Sequence, residues 1–201
     1  MRTITAYLLL ALLSALKGAN PGKIVGSISC DGAAASVVVW AVTSDCRTSY
    51  RTTEFDNNRF TLEAIPPAKY RLVGYCGPAF ALPAPEVQVE PGMTAHVDLN
   101  AFVQANSSGQ ISPGVAPLNG RIVDGGGRPV SGVSVSGQGV QLWPKQETVS
   151  GPDGRFGFCA ARLGPATLTL KRAGYRPRRL KLSIGILNYS NGQLEIKLRK
   201  Q

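Results

Sequence analysis

Histidine is almost missing from this chain: among 201 residues there is one, His96. A zinc peptidase needs a set of histidine and carboxylate ligands, and a Ser-His-Asp hydrolase needs a histidine base, so either would have to be built on His96. That residue lies in MTAHVDLN, where alternation makes it an ordinary strand position. No Gly-x-Ser-x-Gly elbow occurs, and no glycine motif of the phosphate- or dinucleotide-cradling kind. Cysteine is scarce as well: Cys30, Cys46, Cys76 and Cys159 contain no C-x-x-C pair, which removes the usual spacing of a metal knuckle. The expectation is therefore no catalytic residue, no metal and no cofactor. Beyond the N-terminus no apolar run approaches the about 20 residues of a membrane-spanning helix.

What is present begins with MRTITAYLLLALLSALKGAN. Arg2 supplies a positive start, Ala6 to Leu13 form an apolar stretch too short for a comfortable span, and Gly18 and Ala19 offer a small-residue cleavage point. Residues 1–20 read as a signal peptide, so the mature chain is expected to be secreted, or periplasmic and part of the cell envelope. Four cysteines in an oxidising compartment permit two disulfides, and three pairings are possible. Three cysteines fall in the first half of the mature chain and one in the second. Either one bridge joins the halves or two thiols stay free.

Glycine at 23 and proline at 14 favour short strands over long helices. Residues 104–117 carry no charge and are rich in Ser, Gly, Pro and Asn, the composition of a linker. On either side lie segments of similar grammar. Phe60 and Leu62 correspond to Phe156 and Phe158, Ile65 to Leu163, Pro66-Pro67 to Gly164-Pro165, and Tyr70 and Leu72 to Leu168 and Leu170. The apolar positions step by two on each side of a Pro-containing turn, the alternation expected of half-buried antiparallel strands joined by a short hairpin. The predicted fold is all-β: two tandem antiparallel β-sandwiches of about seven strands each, over residues 21–103 and 118–201.

The second half resembles the carboxypeptidase regulatory-like domain family, a prealbumin-like sandwich often grouped with carbohydrate-binding-like folds. The resemblance rests on Gly120-Arg-Ile-Val-Asp124, Arg128-Pro129-Val130-Ser-Gly132-Val133, Val135, Asp153-Gly154-Arg-Phe156, Leu163-Gly164, Leu168, Leu170 and Gly174-Tyr175. The first half keeps Asn58-Arg59-Phe60, Pro66-Pro67 and Tyr70-Arg-Leu72 but has Cys30-Asp-Gly-Ala-Ala in place of the Gly-x-Pro turn. The resemblance implies an accessory domain of the kind that accompanies metallocarboxypeptidases, outer-membrane receptors and surface proteins, rather than a catalytic one. Sandwiches of this broad type can also resemble pilin-like domains with Lys-Asn cross-links, for which Lys23, Glu63 and Asn100 would be the candidates. Here Gly74, not an acidic residue, follows Tyr70-Arg-Leu72-Val.

Charge is the remaining signal. The formal net charge of +10 is uneven: residues 21–100 carry six Lys and Arg against eight Asp and Glu, and residues 101–201 carry fourteen against four. Lys171, Arg172, Arg176, Arg178, Arg179 and Lys181 crowd one junction, where Pro177 holds the chain extended. Such a run is either an edge protected from aggregation or a patch that attracts anionic polymers. Trp143 and Tyr175 are candidates for stacking on a sugar ring. An exported chain is not expected to meet nucleic acid. The function expected is a non-enzymatic binding or structural accessory role at the cell envelope, with polysaccharide or another envelope protein as partner. The alternative is a protein-protein interaction module serving a peptidase or outer-membrane receptor.

Overall fold

A computed structural model describes residues 20–30, 37–52, 54–77, 79–81, 85–103, 114–138, 142–143, 145–186 and 194–201. Nearly all of the segment read as a signal peptide, and most of the linker, lie outside them. Every regular element described is a β-strand. The first half contains β1 (Gly22–Cys30), β2 (Val37–Thr43), β3 (Ser49–Arg51), β4 (Glu54–Asp56), β5 (Arg59–Ile65), β6 (Ala68–Cys76), β7 (Ala79–Ala81), β8 (Glu86–Val89) and β9 (Thr94–Val103). They hydrogen-bond in the order β3-β2-β6-β7-β9-β1-β5-β4, with β8 also beside β6. The short β7 joins what would otherwise be the two sheets of a sandwich. Their inner faces enclose Ile24, Ile28, Val39, Phe60, Leu62, Tyr70 and Leu72.

The second half contains β10 (Val115–Val123), β11 (Ser134–Gln138), β12 (Leu142–Trp143), β13 (Glu147–Val149), β14 (Arg155–Arg162), β15 (Gly164–Lys171), β16 (Arg178–Ile184) and β17 (Leu194–Lys197). Here two separate four-stranded sheets form, β12-β14-β10-β17 and β13-β11-β15-β16. Leu118, Ile122, Val135, Phe156, Phe158, Leu168 and Leu170 fill the space between them. The two halves thus have nine and eight described strands rather than about seven.

The correspondence between the halves extends to pairing. The first strand of each runs antiparallel to a Phe-bearing strand, β1 to β5 and β10 to β14, and parallel to the last, β1 to β9 and β10 to β17. Gly26 stands opposite Phe60, and Gly120 opposite Phe156. A Cβ at Gly26 would come within 1.6 Å of the Val97 carbonyl oxygen, and one at Gly120 within 2.7 Å of that of Leu194. Both glycines allow a phenyl ring and a neighbouring strand to close over the backbone.

The Pro-containing turns correct the sequence reading. β5 and β6 do not pair with each other, nor do β14 and β15: β5 bonds β1 and β4, β6 bonds β2, β7 and β8, β14 bonds β10 and β12, and β15 bonds β11 and β16. Each turn carries the chain from one sheet to the other instead of closing a hairpin. Alternation reveals which face is buried but not which strand supplies the hydrogen bonds, so an arch and a hairpin look alike in sequence. The first arch is fastened by Tyr70, whose hydroxyl donates to the Pro66 carbonyl at 2.7 Å. Burial, with Tyr50 beside it, holds the Tyr70 phenol above its ordinary titration range.

A third apolar cluster joins the halves. Val38, Trp40, Val42 and Val73 project from the outer faces of β2 and β6 onto Ala116, Cys159 and Ala160 of β10 and β14. Val115 and Ala116 are buried there, so β10 takes up the last three residues of the 104–117 span. Pro117, which has no N–H, sits where the β10–β14 register shifts. Cys46 and Cys159 are bonded across this interface, and Cys30 and Cys76 within the first half. Of the two possibilities left by the sequence, the cross-bridge is the one realised. Gly157 lies flat against the bridge: a Cβ there would fall 1.7 Å from the Cys46 carbonyl oxygen. The buried Asn119 Oδ1 accepts from Ser49 Oγ at 2.7 Å, and its Nδ2 donates to the Cys46 carbonyl. Arg47 donates to the Val149 carbonyl and Arg155 to Thr48 Oγ1, so an arginine crosses in each direction.

Candidate binding surfaces of the second domain

β16 is the edge strand of its sheet, and its alternation sorts the cations. Leu180, Leu182 and Ile184 face the core, leaving Arg179, Lys181 and Ser183 on the outer face. Arg178 has the inward phase but lies one step past the end of the core. Its guanidinium turns over the rim of the sandwich and donates to the Lys197 carbonyl. The run of six residues therefore divides. Lys171, Arg179 and Lys181 stand on the outer sheet face, while Arg176 and Arg178 stand at the end of the sandwich.

Arg172 does neither, because its guanidinium lies over the Tyr175 ring at 5.2 Å, a cation–π contact. Tyr175 also packs on the core, so its ring is already engaged on both counts. Trp143 places its backbone opposite Ala160 at the edge of the other sheet; its side chain lies outside the described part of the structure.

The end of the sandwich carries a cleft of about 560 Å³ lined by Gly125, Arg176, Pro177, Arg178, Lys197, Leu198 and Arg199. Among the described residues its four cations have no carboxylate in the lining with them. Beside it, sharing Gly125 and Arg199, lies a hollow lined by Asp124, Gly126, Arg128 and Lys200. The chain is held there by main-chain bonds: Arg176 N–H donates to the Arg199 carbonyl, Leu198 N–H to that of Val123, and Tyr175 bridges Lys200. Leu194, Ile196 and Leu198 point inward, so alternation turns Lys197 and Arg199 outward. That alternation is visible in QLEIKLRK, but the antiparallel bridge between Tyr175 and Lys200 that brings this segment beside residue 176 is not.

Asp124 is the carboxylate that lines the hollow beside the cleft, and it is already satisfied. Oδ1 accepts from the backbone N–H of Gly126 at 2.9 Å and of Arg128 at 3.0 Å, and Oδ2 accepts from Arg128 Nε at 3.1 Å. The Arg128 N–H, then the Gly126 N–H and the Arg128 charge, hold its carboxyl below the usual carboxylate range against an opposing burial effect. Among the described ion pairs of the second half, only Arg128 and Arg155 engage a carboxylate. The remaining cations at the cleft and on the sheet face take part in none of them.

In the first half, His96 is exposed on β9. Neighbouring Asp98 accepts from Ser27 at 2.6 Å through the hydroxyl and 3.1 Å through the backbone N–H, and these bonds, with the His96 charge, lower its pKa. Serine here bonds the carboxylate directly, so the three residues are not arranged as a nucleophile–base–orienter relay. Among the described residues no group of His, Cys, Asp or Glu has metal-holding geometry. The Lys23–Glu63–Asn100 set is not assembled either. Lys23 Nζ meets Glu63 Oε1 at 2.8 Å, but Lys23 pairs with Thr94 whereas Asn100 pairs with Ser29. Six residues of strand, about 20 Å, separate the Lys23 level from Asn100.

No family model matches this chain, and no curated protein matches it. Among solved structures it is similar to a streptococcal ancillary pilin, at 14% identity and a TM-score of 0.37, over 92% of this chain and 63% of that one. It is similar to the minor pilin of Streptococcus agalactiae at 11% and 0.36, over 90% and 96% of the two chains. A putative adhesin from Bacteroides ovatus follows at 10% and 0.28, over 94% and 95%. The chain thus spans less than two thirds of the ancillary pilin. Likeness at this level assigns neither a family nor an activity.

Proposed function

We propose that this chain is a non-enzymatic accessory protein of the cell envelope whose second domain binds an acidic polysaccharide at the cationic end cleft. The observation that carries the reading is the cleft itself: Arg176, Arg178, Lys197 and Arg199 converge with no carboxylate in its lining. A local field of one sign concentrates anionic ligands. The buried bridge between the halves supports an oxidising compartment, where envelope polymers rather than nucleic acids are the available polyanions. The first domain, packed and bonded to the second, serves as its support.

The test is binding of the mature chain to polygalacturonate across a salt titration, beside the double variant Arg176→Glu, Arg199→Glu. The expected result is affinity that falls with salt and drops at least about tenfold in the variant. Equal binding by both proteins would remove the cleft from the reading. No binding to any acidic polysaccharide would leave an acidic protein partner in its place.

A further inference from the structure

The outer face of the sheet β13-β11-β15-β16 is polar throughout its centre. By register, Ser134 and Ser136 of β11 lie beside Lys171 and Thr169 of β15, Gln138 lies beside Thr167, and Arg179 and Lys181 of β16 lie on the other side of Thr169 and Thr167. The single carboxylate on this face among the described residues, Glu147, stands on the opposite edge strand, where it accepts from Ser134 Oγ at 2.7 Å. Lys171, Arg179 and Lys181 are exposed and enter no ion pair among the described residues. Between them Thr169 is only 8% exposed, and its hydroxyl has no hydrogen-bond partner among the described residues. A buried hydroxyl without a partner is a cost that a ligand able to bond it would relieve.

We propose that this face is a track for an extended segment of acidic polysaccharide running along the β16 edge. Arg179 and Lys181, two residues apart on one strand, hold anionic groups about 6.8 Å from one another, and Lys171 stands on the adjacent strand, one spacing of about 4.8 Å from β16. The Thr169 hydroxyl is closed off from solvent in the unliganded chain, so an anion drawn in by Arg179 supplies its acceptor once the covering side chains have moved aside. The row of Ser134, Ser136, Gln138 and Thr167 faces the sugar hydroxyls. The mixture of hydroxyls and cations fits a chain bearing both hydroxyl and acid groups better than a bare polyanion. A lipid surface would favour apolar side chains to insert, and among the described residues the exposed large one on this face is Val149, on the edge strand away from β16.

The inference rests on the acidic-polysaccharide reading for its ligand class, but on a different surface from the end cleft. It is tested with polygalacturonate and with trigalacturonate, too short to follow a track. Four proteins are compared: the mature chain, the cleft variant above, Arg179→Glu with Lys181→Glu, and Thr169→Val. The polymer should bind the mature chain at least tenfold more tightly than the trimer, and the Arg179/Lys181 variant should lose about that advantage while its trimer binding stays unchanged. Thr169→Val should weaken polymer binding without lowering the melting temperature, which separates a ligand contact from a folding defect. Polymer binding lost in the cleft variant alone would overturn the track and leave the cleft standing. Loss in the face variant alone would support the track and remove the cleft. Equal affinity for trimer and polymer, or tighter binding of polyphosphate or anionic vesicles through the same residues, would overturn the proposal.

Discussion

At the scale of single residues, the positions that shape this molecule are those where one atom more or less decides. Asp124 binds two backbone N–H groups and a guanidinium in one loop, and its lowered pKa makes the loop pH-sensitive. A depressed carboxyl contributes stability that is present above its unfolded pKa, about 3.9, and is lost as pH falls through the folded value. Asp124→Asn should therefore melt at a lower temperature than the parent at neutral pH, with the difference shrinking as the pH drops below about 4. Thermal melts of both proteins across that interval check it, and a constant difference would show that the charge is not what holds the loop. Asp124 and Gly154 were legible in the sequence through the short stretches Gly120–Asp124 and Asp153–Phe156 that carry the family resemblance. Gly157 and Asn119 were not. Their roles come from Cys46 and Ser49, far away in sequence, and no short-range pattern announces a neighbour in the other half.

At the scale of strands, the apolar alternation placed Phe60, Leu62, Phe156, Phe158, Leu168 and Leu170 inward, and all are buried in the two cores. The same alternation gave no partner, which is why the arches at Pro66 and Gly164 read as hairpins. Edge position was equally hidden: the six-cation run was plain, but its division between rim and sheet face depends on where β16 ends relative to the core. Lys197 joined the site through the parallel β10–β17 pairing, and Arg199 and Lys200 through the antiparallel contact with residues 175 and 176, neither of which sequence spacing encodes. The glycine beneath each phenylalanine gives this level its prediction. Gly120→Ala would place a Cβ within 2.7 Å of the Leu194 carbonyl and of the Phe156 ring, and a crowded core site of this kind costs about 1–3 kcal/mol. Urea unfolding should show that loss. Hydrogen exchange should locate it in β17, and a change confined to the β11–β15 sheet would contradict the account.

At the scale of the whole molecule, the two halves form one packed body. Three features coincide at their interface: the third apolar cluster, the Ser49–Asn119 bond and the Cys46–Cys159 bridge. The bridge links residues 113 apart in sequence, against 46 for Cys30–Cys76. On the chain-entropy account loops of these lengths stabilise by roughly 5 and 4 kcal/mol, with less than the sum expected because the loops overlap. Replacing Cys46 and Cys159 together by serine should lower stability by about 2–5 kcal/mol. A single proteolytic cut placed between Val103 and Gly114 should leave the oxidised halves migrating as one species, separable only after denaturation and reduction. Separation without reductant would refute the bridge.

The bridge also decides how tension would travel through the chain. Pulled by its two ends, the polypeptide transmits load from Cys46 directly to Cys159, which are 113 positions apart, so the span between them stays slack. The segment between the halves, whatever its length, is never the element that stretches. Extension can come only from residues before Cys46 and after Cys159. Strands β1 and β2 ahead of Cys46, and β15, β16 and β17 beyond Cys159, all lie in the loaded part, so both proposed binding surfaces bear force while the segment between the halves does not.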